Sequence, residues 1–304
     1  MTGRVKKSRG SKSNRLEIPP KPVEKIALVA GGGTIPVMVA QSLADAGTAP
    51  FVALLQGDAD EALNKYEHMR ISTALIGKLI AELKKRDIAK VIIVGSVKGR
   101  PKWTDFRPDW TTLKLVSRIA VVLRSGDNVL LSTVVDTIED EGIKVVGVHE
   151  ILPHLLAGEG IIAGAAPSKS QMDSISIGTQ AAMRLGAIDA GQGVVVLGKR
   201  IVALEGAEGT DEMLERVADL RARGKLPNKT GGVLIKLCKP QQDKRVDMPT
   251  IGTKTIQNAV NAGLKGIALH AGNTLISDIE QTCVHANEKG VFIYGLTPTW
   301  NEGS

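Results

Sequence analysis

Short, continuous apolar runs recur along this chain, and segments with helical periodicity separate them. The first run, Ile26–Ala30, leads into three glycines, and the next two lie at 51–55 and 91–94. An apolar run without alternation is typical of a strand buried on both faces, and strands separated by helices pair in parallel. We therefore predict an α/β fold that opens with a parallel sheet and right-handed crossovers.

The second half of the chain continues this alternation and adds an antiparallel element. Apolar runs at 193–197 and 201–204 are separated by only three residues, a spacing that indicates a hairpin. Further strands are predicted at 232–236, 266–270 and 291–294, with helices between them. The second half is therefore predicted to be a distinct C-terminal α/β domain.

Changes in composition mark the predicted domain boundaries. Residues 158–171 are rich in glycine, alanine, serine and proline, which indicates a linker. The length supports two domains, because 304 residues is about twice the usual domain size. The predicted organisation is a disordered basic tail, an N-terminal domain, a linker and a C-terminal domain, at 1–22, 23–157, 158–171 and 172–304.

The positive charge of the chain is concentrated at its start. Residues 1–22 carry seven basic side chains and one acidic one, whereas the other 282 residues carry 32 basic and 31 acidic ones. A basic segment of this kind is usually an unstructured, solvated extension, and contact with anionic lipid or nucleic acid is the alternative. Because the rest of the chain is nearly neutral, we expect no nucleic-acid partner.

Hydropathy and cysteine content indicate the cellular compartment in which the protein is expected. No charge-free apolar stretch reaches the roughly 18 residues of a membrane-spanning helix, and the first 22 residues lack the apolar core of a signal peptide. Two cysteines, Cys238 and Cys283, are too few for a disulfide framework. These features predict a soluble, cytoplasmic protein.

A glycine triplet stands where the first strand is predicted to lead into a helix. Gly31, Gly32 and Gly33 precede Thr34, and glycines at this point let a backbone approach a phosphate at a helix N-terminus. The spacing matches neither the dinucleotide-binding motif nor the Walker A motif. A tight turn without a ligand is therefore the alternative interpretation.

A second glycine-containing stretch, 205–211, carries carboxylates at the end of a predicted strand. Open α/β sheets place their ligands at this edge, and Mg²⁺ prefers oxygen ligands of this kind. Thr210 is predicted to cap the helix that follows, and a solvated loop is the alternative interpretation. The candidate metal-binding carboxylates are Glu205, Glu208 and Asp211.

Residues 236–252 form the richest polar segment of the chain, and they leave the end of another predicted strand. Their cations can hold a diphosphate, and their carboxylates can bind a metal ion or activate a water molecule. An ordinary charged surface loop is the alternative interpretation. The residues selected here are Lys236, Lys239, Asp243, Asp247, Thr250 and Gly252.

Other candidate residues give weaker signals. The five histidines show no metal-ligand spacing, so each is interpreted as a structural or surface residue. Residues 100–110 contain two of the three tryptophans, and this loop either shields an apolar ligand or packs against the sheet.

Several longer stretches, in order along the chain, carry a resemblance to one family. They include the segments Ala-Gly-Gly-Gly-Thr-Ile-Pro36, Leu-Gly-Ala-Ile-Asp-Ala-Gly-Gln192, Ala-Leu-Glu-Gly-Ala-Glu-Gly-Thr-Asp211 and Lys-Pro-Gln-Gln-Asp-Lys-Arg-Val-Asp-Met-Pro-Thr-Ile-Gly252. With them, nearly everything after residue 24 resembles the bacterial UDP-2,3-diacylglucosamine pyrophosphatases of the domain-of-unknown-function 1009 type. The basic tail lies outside this pattern, and His270 stands where family members often have a glutamate.

The resemblance implies a fold and a reaction. It implies a Rossmann-like N-terminal domain, a C-terminal α/β catalytic domain, and a lipid substrate held between them. The implied reaction is hydrolysis of the diphosphate of UDP-2,3-diacylglucosamine to UMP and 2,3-diacylglucosamine 1-phosphate (lipid X) in lipid A synthesis. The implied cofactor is Mg²⁺, with Mn²⁺ as a substitute, and the water is expected to attack the phosphorus nearer the sugar.

The motifs and the resemblance together assign roles to the candidate residues, although neither chooses between Asp243 and Asp247 for the main carboxylate. The predicted catalytic residues are Asp243, Asp247, Lys236 and Lys239. The predicted metal ligands are Glu205, Glu208, Asp211 and Asp243. The predicted substrate-binding residues are Gly31, Gly32, Gly33, Thr34, Thr210, Thr250 and Gly252.

These assignments also predict partners. The main one is the lipid-linked UDP-sugar, reached by peripheral contact with the inner membrane surface, and a homodimer is an open possibility for the assembly. The alternative function is a regulator that binds a nucleotide or lipid without turning it over.

Overall fold

A computed structural model describes residues 25–72, 75–97, 127–227 and 231–298 of the chain. Its strands form two main sheets, one in each half of the sequence, and a separate two-stranded sheet. The predicted tail and the tryptophan-containing loop at 100–110 lie outside the described residues.

The first sheet has five parallel strands in the order β3-β2-β1-β4-β5, which confirms the predicted parallel arrangement. Its strands are β1 (Ile26–Ala30), β2 (Phe51–Leu55), β3 (His68–Ile71), β4 (Lys90–Val94) and β5 (Lys144–Val146). The helices of this half are α1 (Ile35–Asp45), α2 (Ile76–Lys85), α3 (Asp127–Asp140) and the short α4 (Val148–Ile151), with 3₁₀ turns at Glu61–Lys65 and Pro153–Leu155.

The second sheet has six strands in the order β6-β13-β11-β9-β7-β8. Its strands are β6 (Gly160–Ala163), β7 (Gly193–Leu197), β8 (Arg200–Leu204), β9 (Val233–Lys236), β11 (Gly266–His270) and β13 (Phe292–Leu296). The three strands β9, β11 and β13 are parallel, and β7 and β8 form the predicted antiparallel hairpin. The helices here are α5 (Lys169–Ala187), α6 (Gly209–Ala222), α7 (Thr253–Asn261) and α8 (Ile279–Lys289).

Residues 158–171, for which a linker is predicted, contribute an edge strand to the second sheet. Strand β6 pairs antiparallel with β13, so Ile161 lies opposite Tyr294 and Ala163 opposite Ile293. The segment that is rich in glycine and alanine therefore contains a short strand in addition to loop residues. The domain boundaries themselves stay a prediction.

Each sheet is covered on both faces, as its apolar strands require. In the second sheet, successive residues of β9 point to opposite sides, because side chains alternate along a strand. Leu234 belongs to the core under α6, α7 and α8, whereas Ile235 packs beneath α5. Burial on both faces explains why these strands read as uninterrupted apolar runs.

The two halves meet through the short sheet formed by β10 (Thr250–Ile251) and β12 (Leu275–Ile276). Leu275 of β12 belongs to the apolar core of the first half, and Met248 packs against that core. An ion pair between Arg245 Nη1 and Glu139 Oε2, at 2.9 Å, also joins the halves. These contacts bring the strand ends of both sheets together. Among the described helices, none combines the length and apolar character needed to cross a bilayer.

Candidate active site

A cavity of about 460 Å³ lies between the two halves of the chain, at the strand ends that the sequence singled out. From the first half, its lining includes Gly32, Gly33, Thr34, Gly95 and Ser96. From the second half, its lining includes Asp211, Lys244, Arg245, Asp247, Thr250, Gly252, Lys254 and Ser277. The cavity therefore combines a glycine-rich wall with a wall of charged side chains.

The glycine-rich wall is built by two strand ends that approach closely. Gly32 and Ser96 exchange backbone hydrogen bonds, at 2.8 and 2.9 Å. A Cβ atom on Gly31 would lie 2.5 Å from the carbonyl oxygen of Ser96, and one on Gly95 would lie 2.7 Å from the carbonyl carbon of Gly31. Gly31 thus permits the strand approach and lies outside the cavity lining, whereas the two glycines after it face the cavity.

Thr34 closes this wall and contacts the opposite half. It is the residue before α1, and its Oγ1 lies 2.5 Å from Oγ of Ser277. The N-terminus of α1 therefore faces the cavity, where its backbone N–H groups and dipole favour an anion.

The two aspartates of the 236–252 segment have different surroundings. Asp243 accepts hydrogen bonds from Nε and Nη2 of Arg245, at 3.0 and 2.7 Å, and this pairing lowers the pKa of Asp243. Asp247 lines the cavity, and its Oδ2 accepts a hydrogen bond from Gln242 Nε2 at 2.7 Å. Of the two carboxylates that the sequence left undecided, Asp247 is the one on the cavity.

The cations that line the cavity are not the two that the sequence selected. Lys244, Arg245 and Lys254 line it. Lys239, predicted to act on a phosphate, instead forms an ion pair with Asp189, at 2.7 Å between Nζ and Oδ1. Lys236 is buried and donates a hydrogen bond to the carbonyl oxygen of Thr250, at 3.1 Å. The structure therefore places Lys236 behind the cavity wall, supporting the backbone of β10.

Glu205 lies beside Lys236 in the interior rather than in a solvated loop. Only 6% of Glu205 is exposed, and burial raises the pKa of its carboxyl group, although the nearby Lys236 opposes the shift. Burial likewise lowers the pKa of Lys236. The hydroxyl of Thr210 donates to Glu205 Oε2 at 2.9 Å. These three side chains form a buried polar group outside the cavity lining.

The helix-capping prediction for Thr210 is wrong. Helix α6 begins at Gly209, so the residue before it is Glu208, whose carboxylate instead pairs with Arg216 at 2.7 Å. Thr210 lies one position inside the helix and directs its hydroxyl to Glu205, because that buried carboxyl group needs a donor.

The four predicted metal ligands do not come together. Glu205, Glu208 and Asp243 are bound to Thr210, Arg216 and Arg245, and of the four only Asp211 reaches the cavity lining. Within the part of the chain that the structure describes, no group of three or more aspartate, glutamate, histidine or cysteine side chains could hold a metal ion. The carboxylates that share the cavity are Asp211 and Asp247.

Sequence reasoning also missed other polar residues of the cavity lining, namely Ser96, Lys254, Thr255 and Ser277. Lys254 forms an ion pair with Asp211, at 2.8 Å between Nζ and Oδ2, and this pairing raises the pKa of Lys254. Ser96 and Ser277 reach the cavity from strand ends that are far apart in sequence. Ser96 directly follows a predicted strand, where ligands of open α/β sheets bind, whereas Ser277 follows the two-residue strand β12, which the sequence did not predict.

Comparison with known proteins matches both halves of the chain to one family. The model described as the LpxI N-terminal domain matches residues 25–155, and the model described as the LpxI C-terminal domain matches residues 158–294. The chain belongs to the LpxI family. The resemblance stated from the sequence motifs is thereby confirmed.

A curated LpxI protein extends this match to nearly the full length. The chain is 37% identical over 278 residues to the UDP-2,3-diacylglucosamine pyrophosphatase LpxI of Caulobacter vibrioides. The aligned region covers 91% of this chain and 99% of that relative. The cavity is lined by residues from both of the stretches that the two domain models match.

Proposed function

We propose that this protein hydrolyses the diphosphate bond of UDP-2,3-diacylglucosamine and releases UMP and 2,3-diacylglucosamine 1-phosphate, a step of lipid A synthesis. The observation that carries the proposal is the near full-length similarity to a pyrophosphatase named for that substrate. The chemistry of the cavity supports it, because cations and a carboxylate face the same space.

The diphosphate is proposed to bind between the two walls of the cavity. Lys244 and Arg245 from one wall offset its negative charge, and the N-terminus of α1 offers backbone N–H groups from the other. Thr34 and Thr250 add hydroxyl groups to the lining. Charge of this kind is most effective where the cavity excludes water, since the local dielectric constant is then low.

Asp247 is proposed to be the catalytic carboxylate. It is held by Gln242 and faces the cavity, so it can accept a proton from an attacking water molecule. Asp243 is held by Arg245 and is proposed to position that cation rather than to contact the reacting atoms.

Magnesium is proposed as the cofactor, with Mn²⁺ as a substitute. Mg²⁺ is usually held by one or two carboxylates together with substrate phosphates and waters, and Asp211 and Asp247 fit that description. When bound, the ion would polarise a phosphoryl oxygen of the substrate. Glu205, Glu208 and Asp243 do not fit this role, since none of the three belongs to the cavity lining.

The site of action is proposed to be the cytoplasmic side of the inner membrane. The acyl chains of the proposed substrate keep it in a lipid surface, so a protein without a spanning helix among its described residues would have to dock there peripherally. The homodimer stays a prediction.

The proposal is tested by ³¹P NMR of the full chain with UDP-2,3-diacylglucosamine in detergent micelles, with Mg²⁺ or with EDTA. We expect the diphosphate signals to be replaced by those of UMP and a sugar 1-phosphate when Mg²⁺ is present, and little conversion with EDTA. An unchanged diphosphate, together with substrate binding in equilibrium dialysis, would support the non-catalytic regulator instead.

A further inference from the structure

Gln242 is a buried amide that lies directly behind the wall of the cavity. It is only 6% exposed, and it stands outside the cavity lining while its neighbours Lys244 and Asp247 are part of that lining. A buried amide has to satisfy both its carbonyl and its NH₂ group, because an unpaired polar group in the interior is costly.

The orientation of this amide is fixed by its surroundings. Its Oε1 accepts a hydrogen bond from the backbone N–H of Lys239 at 3.1 Å and from the thiol of Cys238 at 3.4 Å. A backbone N–H can only donate, and burial raises the pKa of Cys238 to about 11, so the thiol keeps its proton and also donates. Oε1 must therefore face Lys239 and Cys238.

This orientation places the NH₂ group of Gln242 on the side of Asp247. Nε2 points to Asp247 and donates to its Oδ2 at 2.7 Å. The backbone N–H of Asp247 also donates to the carbonyl oxygen of Asp243, at 2.8 Å. Asp247 is thus held at its backbone and at one carboxylate oxygen, which leaves the other oxygen for the cavity.

We propose that Gln242 is a positioning residue that orients the carboxylate of Asp247 for hydrolysis. This inference rests on the proposed function. A catalytic group works only within narrow limits of distance and angle, and a displacement of about 1 Å costs roughly 100-fold in rate. Gln242 supplies the orientation without contacting the substrate, because it is buried behind the lining.

Several charged groups act on the same carboxylate, and an experiment has to separate them from Gln242. The groups around Asp247 are Lys244 and Arg245 from its own loop, Asp211 from α6, Lys254 from α7 and Lys236 from β9. The test therefore changes Gln242 and leaves all these residues in place.

The test is the full chain with Gln242→Glu, assayed for UMP release with Mg²⁺ present. This substitution keeps the length and the accepting Oε1 but replaces the donating NH₂ with an oxygen. We expect kcat to fall about 10- to 100-fold while KM stays within about twofold. The matched control is Gln241→Glu, because Gln241 is the exposed neighbour whose Nε2 donates to Gly186 rather than to Asp247. The control is expected to keep kcat within about twofold.

A double-variant cycle separates positioning from a merely structural role. If Gln242 acts through Asp247, then Gln242→Glu has little further effect on the residual rate of Asp247→Asn. If Gln242→Glu only reduced the amount of folded protein, the rate would fall by the same factor in the wild-type and in the Asp247→Asn background. If Gln242→Glu does not fold, Gln242→Met removes the same donor in a side chain of similar length, and the same kcat loss is expected.

Two outcomes would overturn the inference. The first is a kcat in Gln242→Glu or Gln242→Met equal to that of the wild type. The second is that Gln242→Glu lowers the rate of Asp247→Asn by the same factor as it lowers the wild-type rate. Failure of the proposed function gives a different result, since the wild-type chain and the Gln241→Glu control would then release no UMP.

Discussion

At the scale of single residues, burial decides which titratable groups carry a charge. His270 lies at the end of β11 and is buried, and its Nδ1 has no hydrogen-bond partner among the described residues. Burial lowers the pKa of His270, and the positive charge of Lys244 adds to the effect. The folded protein therefore favours a neutral imidazole at this position, whereas the unfolded chain does not.

This asymmetry predicts a pH dependence of stability. Because the pKa of His270 is lower in the folded state, the unfolded state binds more protons below about pH 6.5, and the free energy of unfolding falls as the pH decreases. His270→Gln should reduce that slope, by at most about 1.4 kcal/mol per pH unit. Urea unfolding between pH 7.5 and 5.5 measures it, with His68→Gln at an exposed histidine as the control. Equal slopes in wild type and His270→Gln would contradict this account.

Residue types in the acidic and basic loops could be predicted, but their partners could not. Asp247, Thr250 and Gly252 do line the cavity. Lys236 and Lys239, from the same segment, were expected to face it as well but are held by Thr250 and Asp189. The sequence contains no signal for this difference, because Asp189 lies 50 residues away and Lys236 meets Thr250 only once the segment between them has folded.

At the scale of elements, the ends of β1 and β4 form the glycine-rich wall. The backbone of Gly31 donates to Val94 at 2.9 Å, and Gly32 pairs with Ser96. This close approach requires hydrogen in place of a side chain at Gly31 and Gly95. Packing of the two strand ends is therefore sufficient to explain Gly31 without a ligand.

Gly31→Ala is predicted to destabilise the protein. The added methyl group would meet the carbonyl oxygen of Ser96 at 2.5 Å, and overpacking of this kind costs roughly 1–3 kcal/mol. The control is Gly158→Ala, since a Cβ atom there meets nothing within 4 Å. Urea unfolding compares the two variants, and equal free energies of unfolding would contradict the steric explanation.

Long, strongly apolar elements were predicted well, and short or polar ones were missed. The five apolar strands β1, β2, β7, β9 and β11 follow the predicted runs closely. Strand β3 was missed because it is an edge strand with mostly polar or exposed residues, and β10 and β12 have only two residues each. Pairing with distant segments, rather than local pattern, makes such short strands.

At the scale of the whole molecule, the cavity exists because two separately packed halves meet. Arg245 belongs to the cavity lining and is held by Glu139 of α3, in the other half. The side chain of Glu139 is about one-third exposed, so the ion pair contributes little to overall stability. Its larger effect should be on how firmly Arg245 is held where the substrate binds.

Glu139→Gln is therefore predicted to weaken substrate binding rather than folding. We expect KM to rise about 3- to 10-fold, or roughly 1 kcal/mol, which is the upper end of what a partly exposed ion pair contributes, with a small change in the free energy of unfolding. Glu82→Gln is the matched control, because Glu82 pairs with Arg86 within the first half. Initial rates give KM, and equal values for the two variants would contradict a role for this contact between the halves.

The central claim is that the diphosphate is hydrolysed in the cavity between the halves, with Asp247 as the catalytic carboxylate. The most direct measurement compares kcat for UMP release from UDP-2,3-diacylglucosamine in wild type, Asp247→Asn and Asp243→Asn. We predict a loss of at least about 100-fold for Asp247→Asn, the usual scale of general acid–base catalysis, and a smaller loss for Asp243→Asn. Undiminished activity in Asp247→Asn, or a larger loss in Asp243→Asn, would contradict the account.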